Sequence, residues 1–265
     1  MRIALGVEYN GAGFIGWQRQ DNGRTVQAAV ERALSRIANK PVLTHCAGRT
    51  DAGVHACAQV VHFNCTAARP ERAWVLGTNS VLPRDISVQW ARTVNEEFHA
   101  RFSAEARTYR YVICNRATRP GLLAGKVTHI HTPLDVVAMD KAARYLLGEQ
   151  DFSSFRAAGC QARHAVREVQ AIAVRREGEF VILTITANAF LQHMVRNIVG
   201  TLLPVGRGCR DPSWVAQVLA ARDRAVAGVT APPDGLYLVA VRYPERFGLP
   251  SNAAPDESSL LRSTP

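Results

Sequence analysis

The sequence predicts an α+β protein that consists of two similar halves with mainly antiparallel strand pairing. Polar and apolar residues alternate in several short segments, as in half-buried strands, and follow a helical period in others. The order strand, helix, strand, strand occurs twice, with a break near residues 95–106. The chain of 265 residues is long enough for two small domains. We therefore expect an N-terminal half at 1–104 and a C-terminal half at 105–246.

The first half is predicted to begin with a strand at 2–10 and a glycine-rich loop at 11–17. That loop lacks the residue order of a phosphate-binding loop. Thr25 is a suitable N-cap for a helix that runs to Asn39, because its hydroxyl can accept an N–H of the first turn. The remaining predicted elements are strands at 42–47, 59–65 and 86–94 and a helix at 71–80.

The second half is predicted to contain strands at 107–114, 169–174, 180–186 and 236–241 and helices at 134–147 and 190–206. A last helix should start at Asp211-Pro212, because proline is favoured in a first helical turn. In the helix at 190–206, His193, Arg196, Asn197 and Gly200 fall on the arc opposite the apolar residues. The helix should therefore present a polar side.

We expect a soluble, cytoplasmic protein. The N-terminus reaches Glu8 too early for a signal peptide. No apolar run approaches the length that spans a bilayer. Residues 251–265 have few apolar side chains, and we expect 247–265 to form a disordered tail.

The six cysteines include no C-x-x-C pair and no grouping with histidine at zinc spacing. We expect reduced, mostly buried thiols, with neither a disulfide framework nor a metal site.

The basic residues favour a polyanionic partner. The net charge is +10, and only three of the 32 basic residues are lysines. Five arginines against one acid occur both at 101–119 and at 156–176. Clusters of this kind beside aromatic residues favour nucleic acid over a merely solvated face. A high arginine content can also follow from genome composition, so this observation alone does not decide.

The segment from Gly48 to Ala56, GRTDAGVHA, presents one carboxylate on a predicted loop between two apolar runs. Glycines at 48 and 53 allow the backbone to turn on both sides of Asp51. Asp51 is the only acid from residue 32 to residue 70, so it has no local acid partner. It can serve as a nucleophile or a base, or it can simply cap its own turn.

This segment resembles the catalytic segment of the TruA-type tRNA pseudouridine synthases. Further stretches match that family in the same order and extend to about Pro244. They are HARFSA at 99–104, RTYRY at 107–111, DFSSFR at 151–156, ANAF at 187–190, HMVRN at 193–197 and GLYLV at 235–239.

The resemblance implies a pseudouridine-synthase fold with the active-site cleft between the two halves. It also implies isomerisation of uridines 38, 39 and 40 in the anticodon stem-loop of tRNA, by a homodimer without cofactor or metal. Asp51 is then the nucleophile, attacking either C1′ or C6. Tyr109 stacks on the uracil and is the candidate for moving the C5 proton, and Arg196 is the cation that keeps Asp51 ionised, with Arg49 as the alternative.

Other residues are candidates for binding the RNA. Leu236 and Leu238 would add an apolar wall, and Phe155 beside Arg156 is the candidate for stacking on a second base. Arginines and one histidine are plausible contacts to the RNA backbone: Arg19, Arg24, Arg101, Arg110, Arg156, Arg163 and His55.

Two other classes of protein remain possible. A non-catalytic RNA-binding protein could use Asp51 structurally, but an acid in a basic groove would repel phosphate. An aspartyl phosphohydrolase would need magnesium and further acids near its nucleophile. The combination of Asp51, Tyr109 and Arg196 favours the synthase.

Overall fold

The computed structural model describes residues 1–250, which form two compact units. The first unit consists of residues 1–107 together with 237–250, and the second consists of residues 108–236. This division differs from the halves expected from the sequence, because the last strand pairs in parallel with a strand of the first unit, Tyr237 opposite His55. Residues 251–265 of the expected tail lie outside the described residues.

The first unit contains a sheet with two helices. Its strands are β1 (Arg2–Tyr9), β2 (His45–Cys46), β3 (His55–Asn64), β4 (Ile86–Val94) and β10 (Leu236–Arg242, which begins just before the unit boundary), and its helices are α1 (Val26–Ala38) and α2 (Glu71–Val81). The strand order is β4-β1-β3-β10, and β2 pairs with β3. β1 is antiparallel to both β3 and β4. Trp74 of α2 packs edge-to-face on Phe63 of β3, with ring centroids 5.1 Å apart, and both side chains are buried in the core.

The second unit repeats this combination of a sheet and helices. Its strands are β5 (Ala106–Asn115, which begins just before the unit boundary), β6 (Thr128–Ile130), β7 (Gly148–Asp151), β8 (Val166–Glu177) and β9 (Phe180–Ala187), and its helices are α3 (Val136–Ala143), α4 (Met194–Gly206) and α5 (Trp214–Ala221). The strand order is β5-β9-β8-β7, with β6 parallel to β5. β8 is antiparallel to β7 and β9. The predicted α+β class with mainly antiparallel pairing is confirmed.

Several predicted boundaries differ from the structure for local reasons. The strand at 42–47 is reduced to His45–Cys46, because the N–H of Thr44 donates to Oε1 of Glu31 at 2.8 Å instead of to a strand. The helix at 190–206 begins only at Met194, since His193 has a left-handed backbone with φ of 61°. The last helix begins at Trp214, because Oδ1 of Asp211 accepts the N–H of Ser213 at 2.8 Å in a preceding turn.

Phe247, the first residue of the expected tail, is part of the folded first unit. It lies in a single 3₁₀ turn, Glu245–Phe247, and is buried. Its ring centroid is 5.2 Å from that of Phe98 in an edge-to-face arrangement. The tail therefore cannot begin at this residue, because an apolar ring is buried there.

The side of α4 that was predicted to be polar is covered by the segment 228–231 of the same unit. A Cβ added to Gly200 would lie 1.8 Å from the carbonyl oxygen of Val229, so only glycine fits here. Asn197 is fully buried, and its Nδ2 donates to the carbonyl of Phe155 at 2.8 Å. Its Oδ1 accepts from Oγ1 of Thr230 at 2.7 Å. Asn197 thus binds neighbouring backbone and side chains instead of water.

Candidate active site

The loop that carries Asp51 lies between β2 and β3 of the first unit and ends in a tight turn. The carbonyl of Asp51 accepts the N–H of Val54 at 3.2 Å, and Gly53 has a φ of 78°. A positive φ at the third position is characteristic of a type II turn, which favours glycine there. Asp51 is half-buried at the start of this turn. The local sequence therefore presents the carboxylate on a defined backbone.

The glycine-rich loop at 11–17 holds the Asp51 loop in place. The N–H of Trp17 donates to the carbonyl of Thr50 at 3.0 Å, and the N–H of Gly53 donates to the carbonyl of Phe14 at 3.2 Å. A Cβ on Gly11 would lie 2.0 Å from the carbonyl oxygen of Val54. The glycines therefore permit the backbones of the two loops to approach each other closely. The residue order of the loop excluded a phosphate-binding loop, but it did not predict this role.

A buried polar network, which the sequence reasoning missed, supports the same loop. Gln59 of β3 is fully buried, and its Nε2 donates to the carbonyl of Gly48 at 2.7 Å. The hydroxyls of Tyr9 and Thr50 share a hydrogen bond of 2.8 Å. The one signal in the sequence was a glutamine within the otherwise apolar stretch of β3, because a buried amide requires partners.

His55, a predicted contact to the RNA backbone, is instead buried within the first unit. Its Nδ1 accepts the N–H of Gly11 at 3.0 Å, and its ring stacks on that of Tyr237 with centroids 4.6 Å apart. With 2% of its surface exposed, the imidazole cannot reach a phosphate in this conformation. The prediction is corrected: His55 is a structural residue that fixes the Gly11 backbone beside the turn of Asp51.

Two residues near the turn, Arg49 and Cys46, differ in accessibility. Arg49 is exposed. Cys46 is half-buried, and burial raises the pKa of its thiol to about 12, which disfavours the thiolate near neutral pH. No disulfide joins any of the six cysteines, but only Cys65 and Cys114 are buried, so the expectation of mostly buried thiols is wrong.

Tyr109 lies on β5 in the second unit, and only 8% of its surface is exposed. Its ring packs edge-to-face on that of Phe190, with centroids 5.0 Å apart. Tyr111, two residues further along the strand, donates or accepts a 2.6 Å hydrogen bond with Oγ1 of Thr128. Burial raises the pKa of Tyr111, and the nearby charge of Arg196 acts in the opposite direction.

Arg196 is anchored to the segment that covers α4. Its Nε donates to the carbonyl of Ala231 at 2.8 Å, and the N–H of Ala231 donates back to the carbonyl of Arg196 at 3.1 Å. The side chain is half-buried. The first hydrogen bond occupies Nε of the guanidinium and limits the positions that its other nitrogens can reach, whereas the second joins the two backbones.

The two predicted residues of the DFSSFR stretch have structural roles in the second unit. Phe155 is fully buried beside Phe152, with ring centroids 6.0 Å apart. The prediction that Phe155 stacks on a base is corrected, because no part of the ring is exposed. Nη2 of Arg156 donates to the carbonyls of Cys160 and Ala162 at 2.8 and 2.7 Å. Arg156 therefore shapes this loop with at least part of its guanidinium.

The predicted apolar wall and the other arginines differ in accessibility. Leu236 and Leu238 are both buried, with 5% and 0% of their surfaces exposed. Arg110 is also buried, at 2%. Arg24 binds both carboxylate oxygens of Asp85, at 2.7 and 2.8 Å. The exposed members of the predicted set are Arg19, Arg24, Arg101 and Arg163.

The structure thus distributes the predicted residues over the two units. Asp51, Arg49, His55 and Leu238 belong to the first unit, and Tyr109, Arg196, Phe155, Arg156 and Leu236 belong to the second. Within residues 1–250, no group of three or more histidine, cysteine or acidic side chains is arranged to hold a metal ion. In the same residues, every helix is too short or too polar to cross a bilayer.

Comparisons with known proteins give the class. The family model described as tRNA pseudouridine synthase matches residues 6–103 and 142–244. The matched segments include Asp51 and Arg196, whereas Tyr109 lies between them. The chain therefore belongs to the tRNA pseudouridine synthase family. Membership makes it an isomerase that acts on uridine in tRNA.

Curated relatives agree over almost the whole chain. A protein of Methylococcus capsulatus named tRNA pseudouridine synthase A is 59% identical over 253 residues, which cover 96% of this chain and 93% of the relative. A protein of the same name from Shewanella amazonensis is 58% identical over 94% of this chain and 96% of its own. The protein of that name from Vibrio cholerae is 57% identical over 94% and 95%.

A solved structure titled "Crystal Structure of a Cbf5-Nop10-Gar1 Complex" is 13% identical to the chain, with a TM-score of 0.36. The match covers 89% of this chain and 48% of that one, and we draw no conclusion from so low a similarity.

Proposed function

We propose that this chain converts uridines 38, 39 and 40 in the anticodon stem-loop of tRNA to pseudouridine, with Asp51 as the nucleophile. The observation that supports this role most directly is the Asp51 loop. A half-buried carboxylate lies on a turn that backbone hydrogen bonds from the glycine-rich loop hold in place. A binding protein would have no need to hold a single acid in this way, whereas a nucleophile requires a fixed position.

The reaction is an isomerisation that needs no external reagent. The bond between N1 and C1′ of the target uridine breaks, the uracil rotates, and a bond forms between C5 and C1′. The proton on C5 is lost, and N1 ends with a proton. Asp51 supplies the carboxylate that adds to the sugar or the base and later leaves. Tyr109 provides a ring for the detached uracil and a hydroxyl for the C5 proton.

Arg196 is proposed to keep the carboxylate of Asp51 ionised once the nucleotide excludes water. Desolvation favours the neutral form of a carboxyl group, and a fixed guanidinium favours the anion. The hydrogen bonds between Arg196 and Ala231 support this role, because they hold the arginine in one orientation. Arg49 remains the alternative cation, since it is exposed and lies two residues before Asp51.

The proposed substrate must leave its helical stack before the reaction. A uridine inside a stem or a structured loop is flipped out in order to meet the carboxylate. The excess of arginine over acid supports the tRNA as a partner through its phosphates. We also propose that the protein acts in the cytoplasm as a homodimer in which one tRNA contacts both subunits. Light scattering with and without tRNA tests that assembly.

Release of tritium from tRNA labelled at C5 of uridine tests the activity, and mapping of pseudouridine tests the positions. The proposal predicts release with a full tRNA, product confined to positions 38–40, and the same rate in EDTA. Asp51→Asn is the inactive control. Product at other positions would overturn the anticodon stem-loop assignment. Absence of release with every tRNA that contains a uridine at these positions would overturn the proposed function itself.

A further inference from the structure

A groove lies in the first unit beside the Asp51 loop, and Arg49 is the one residue among those proposed for the reaction that lines it. The groove has a volume of about 550 Å³. We name it the Phe102 groove and define it by Leu43, His45, Arg49, His99, Arg101 and Phe102, which line it. Phe102 is 76% exposed and Leu43 is 68% exposed, so the groove has two apolar side chains at the surface.

The Phe102 ring is part of a stack of aromatic rings. It lies on the imidazole of His99 with centroids 4.3 Å apart and planes inclined by 28°. His99 in turn contacts the ring of the buried His62 edge-to-face, at 4.6 Å. An exposed phenylalanine that is already stacked on one side is held in position before any ligand arrives. Such a ring is suited to stacking on a nucleobase.

The backbone also fixes the position of Phe102. Nδ1 of His99 accepts the N–H groups of Arg101 and Phe102, at 3.1 and 3.2 Å. The hydroxyl of Ser103 accepts the N–H of His99 at 2.9 Å, and the N–H of Ser103 donates to the carbonyl of His99 at 2.9 Å. The turn from His99 to Ser103 is therefore closed by its own hydrogen bonds, so little ordering remains to be done on binding.

The charges around the groove favour an anion. Arg49 and Arg101 are exposed, and within the described residues neither takes part in a salt bridge. The guanidinium of Arg101 lies 5.6 Å from the centroid of the Phe102 ring. The one acid of the groove, Glu31, is buried and binds Arg19, Gln27 and Thr44. The charge of Glu31 is therefore compensated, and the positive charges of Arg49 and Arg101 dominate the outer part of the groove.

We propose that the Phe102 groove binds one unpaired nucleotide that flanks the target uridine, with its base on Phe102 and its phosphate on Arg101 and Arg49. This inference rests on the proposed function, since it presumes tRNA as the substrate. Arg49 links the two sites, because two residues of chain span at most about 7 Å between Arg49 and Asp51. Stacking tolerates any base, so the groove would recognise an unpaired nucleotide without reading its identity.

The experiment is a binding measurement in an Asp51→Asn background, so that no turnover occurs. The test variant is Phe102→Leu, and the matched control is Phe102→Tyr, which keeps the ring. A second control, Val137→Ala, removes another apolar side chain, which lies on α3 and is 80% exposed. Loss of one base–aromatic stack should weaken tRNA binding by about 5- to 100-fold. The two control variants should bind as tightly as the parent.

An abasic substrate tests which nucleotide is bound. Abasic nucleotides are placed in turn on the two sides of the target uridine. At one of the two positions the abasic tRNA should lose as much affinity as Phe102→Leu does, and combining the two should cause no further loss. Arg101→Ala should reduce the magnitude of the slope of log affinity against log salt concentration by about 0.7, the value for one phosphate of a single strand. Phe102→Leu should leave this slope unchanged.

Three results would overturn the inference. They are unchanged binding by Phe102→Leu, additive losses at both abasic positions, and a change in the oligomeric state of Phe102→Leu, which would make the groove an interface between copies of the chain. Each is distinguishable from failure of the proposed function, because tritium release by the wild-type protein is measured separately.

Discussion

The imidazole of His55 binds the backbone of Gly11: its Nδ1 accepts the Gly11 N–H at 3.0 Å. The same ring stacks on Tyr237 of β10, so one side chain connects β3, β10 and the glycine-rich loop. Gly11 in turn lies so close to Val54 that no side chain would fit. His55 therefore supports the Asp51 turn through the backbone beside it.

His55→Phe should destabilise the first unit and lower activity by misplacing Asp51. Phenylalanine keeps the stack on Tyr237 but leaves the buried N–H of Gly11 without its acceptor. Such a loss costs about 1–3 kcal/mol, which urea unfolding measures. His131→Phe, at an exposed position, is the control. Unchanged stability of His55→Phe would show that the hydrogen bond to Gly11 contributes nothing.

The regular elements could be predicted from the sequence where one short-range pattern determines them. The predicted helix at 71–80 and strand at 86–94 match α2 and β4 almost to the residue. The short strands β6 and β7 were missed, because three or four residues carry no periodicity and are specified by their neighbours. Likewise, the start of α4 depends on the left-handed backbone of His193, which the apolar pattern does not encode.

The candidate site could be predicted only where a sequence motif marks it. The loop of Asp51 was located correctly, since glycines and a lone acid mark it. The burial of Phe155 and His55 could not be predicted, because an aromatic or histidine residue has the same appearance in a sequence whether it lies in a core or on an RNA surface. Only the packing of distant segments distinguishes the two cases. The support that Gln59 and Gly11 give to the Asp51 loop also depends on the packing of distant segments, so it could not be predicted either.

Asp51→Asn should abolish pseudouridine formation while leaving stability and tRNA affinity nearly unchanged. The amide keeps the shape of the side chain but cannot act as an anionic nucleophile. Mapping of pseudouridine after prolonged incubation measures the product, and a tRNA-binding titration of the same preparation is the control. Substantial product from the variant would show that Asp51 has only a structural role in the turn.

Arg196→Leu should lose nearly as much activity, because Asp51 would lose the cation proposed to keep it ionised. Arg196→Lys should retain more, since it keeps the charge but not the planar hydrogen-bonding group. The control is Arg207→Leu, an exposed arginine at the end of the same helix. Single-turnover rates and unfolding curves separate lost chemistry from the lost hydrogen bond to Ala231. A greater loss of rate in Arg49→Leu than in Arg196→Leu would identify Arg49 as the partner.

Stability should fall as the pH is lowered from about 6.5 to about 3, because of His62. Burial, and then the charges of His99, His45 and Arg2, lower the pKa of His62 from 6.5 to about 3. In this window the unfolded chain binds a proton that the folded chain does not, so acid favours unfolding. The pKa of His99 is lowered in the same way, first by burial. Melting temperatures between pH 7 and pH 4 should fall less steeply for His62→Gln than for His131→Gln. Parallel curves would contradict the assignment.

Tyr109→Phe and Tyr109→Leu should separate the two roles proposed for this tyrosine. The ring alone packs on Phe190 and can stack on the uracil, so tRNA binding should survive in the phenylalanine variant. If the hydroxyl moves the C5 proton, the single-turnover rate should fall by about 10²- to 10⁴-fold, the usual contribution of one acid–base group. Tyr109→Leu should weaken binding as well. Tyr145→Phe, a more exposed tyrosine of the same unit, is the control. A wild-type rate in Tyr109→Phe would leave stacking as the only role, and a wild-type rate in Tyr109→Leu would remove Tyr109 from the reaction altogether.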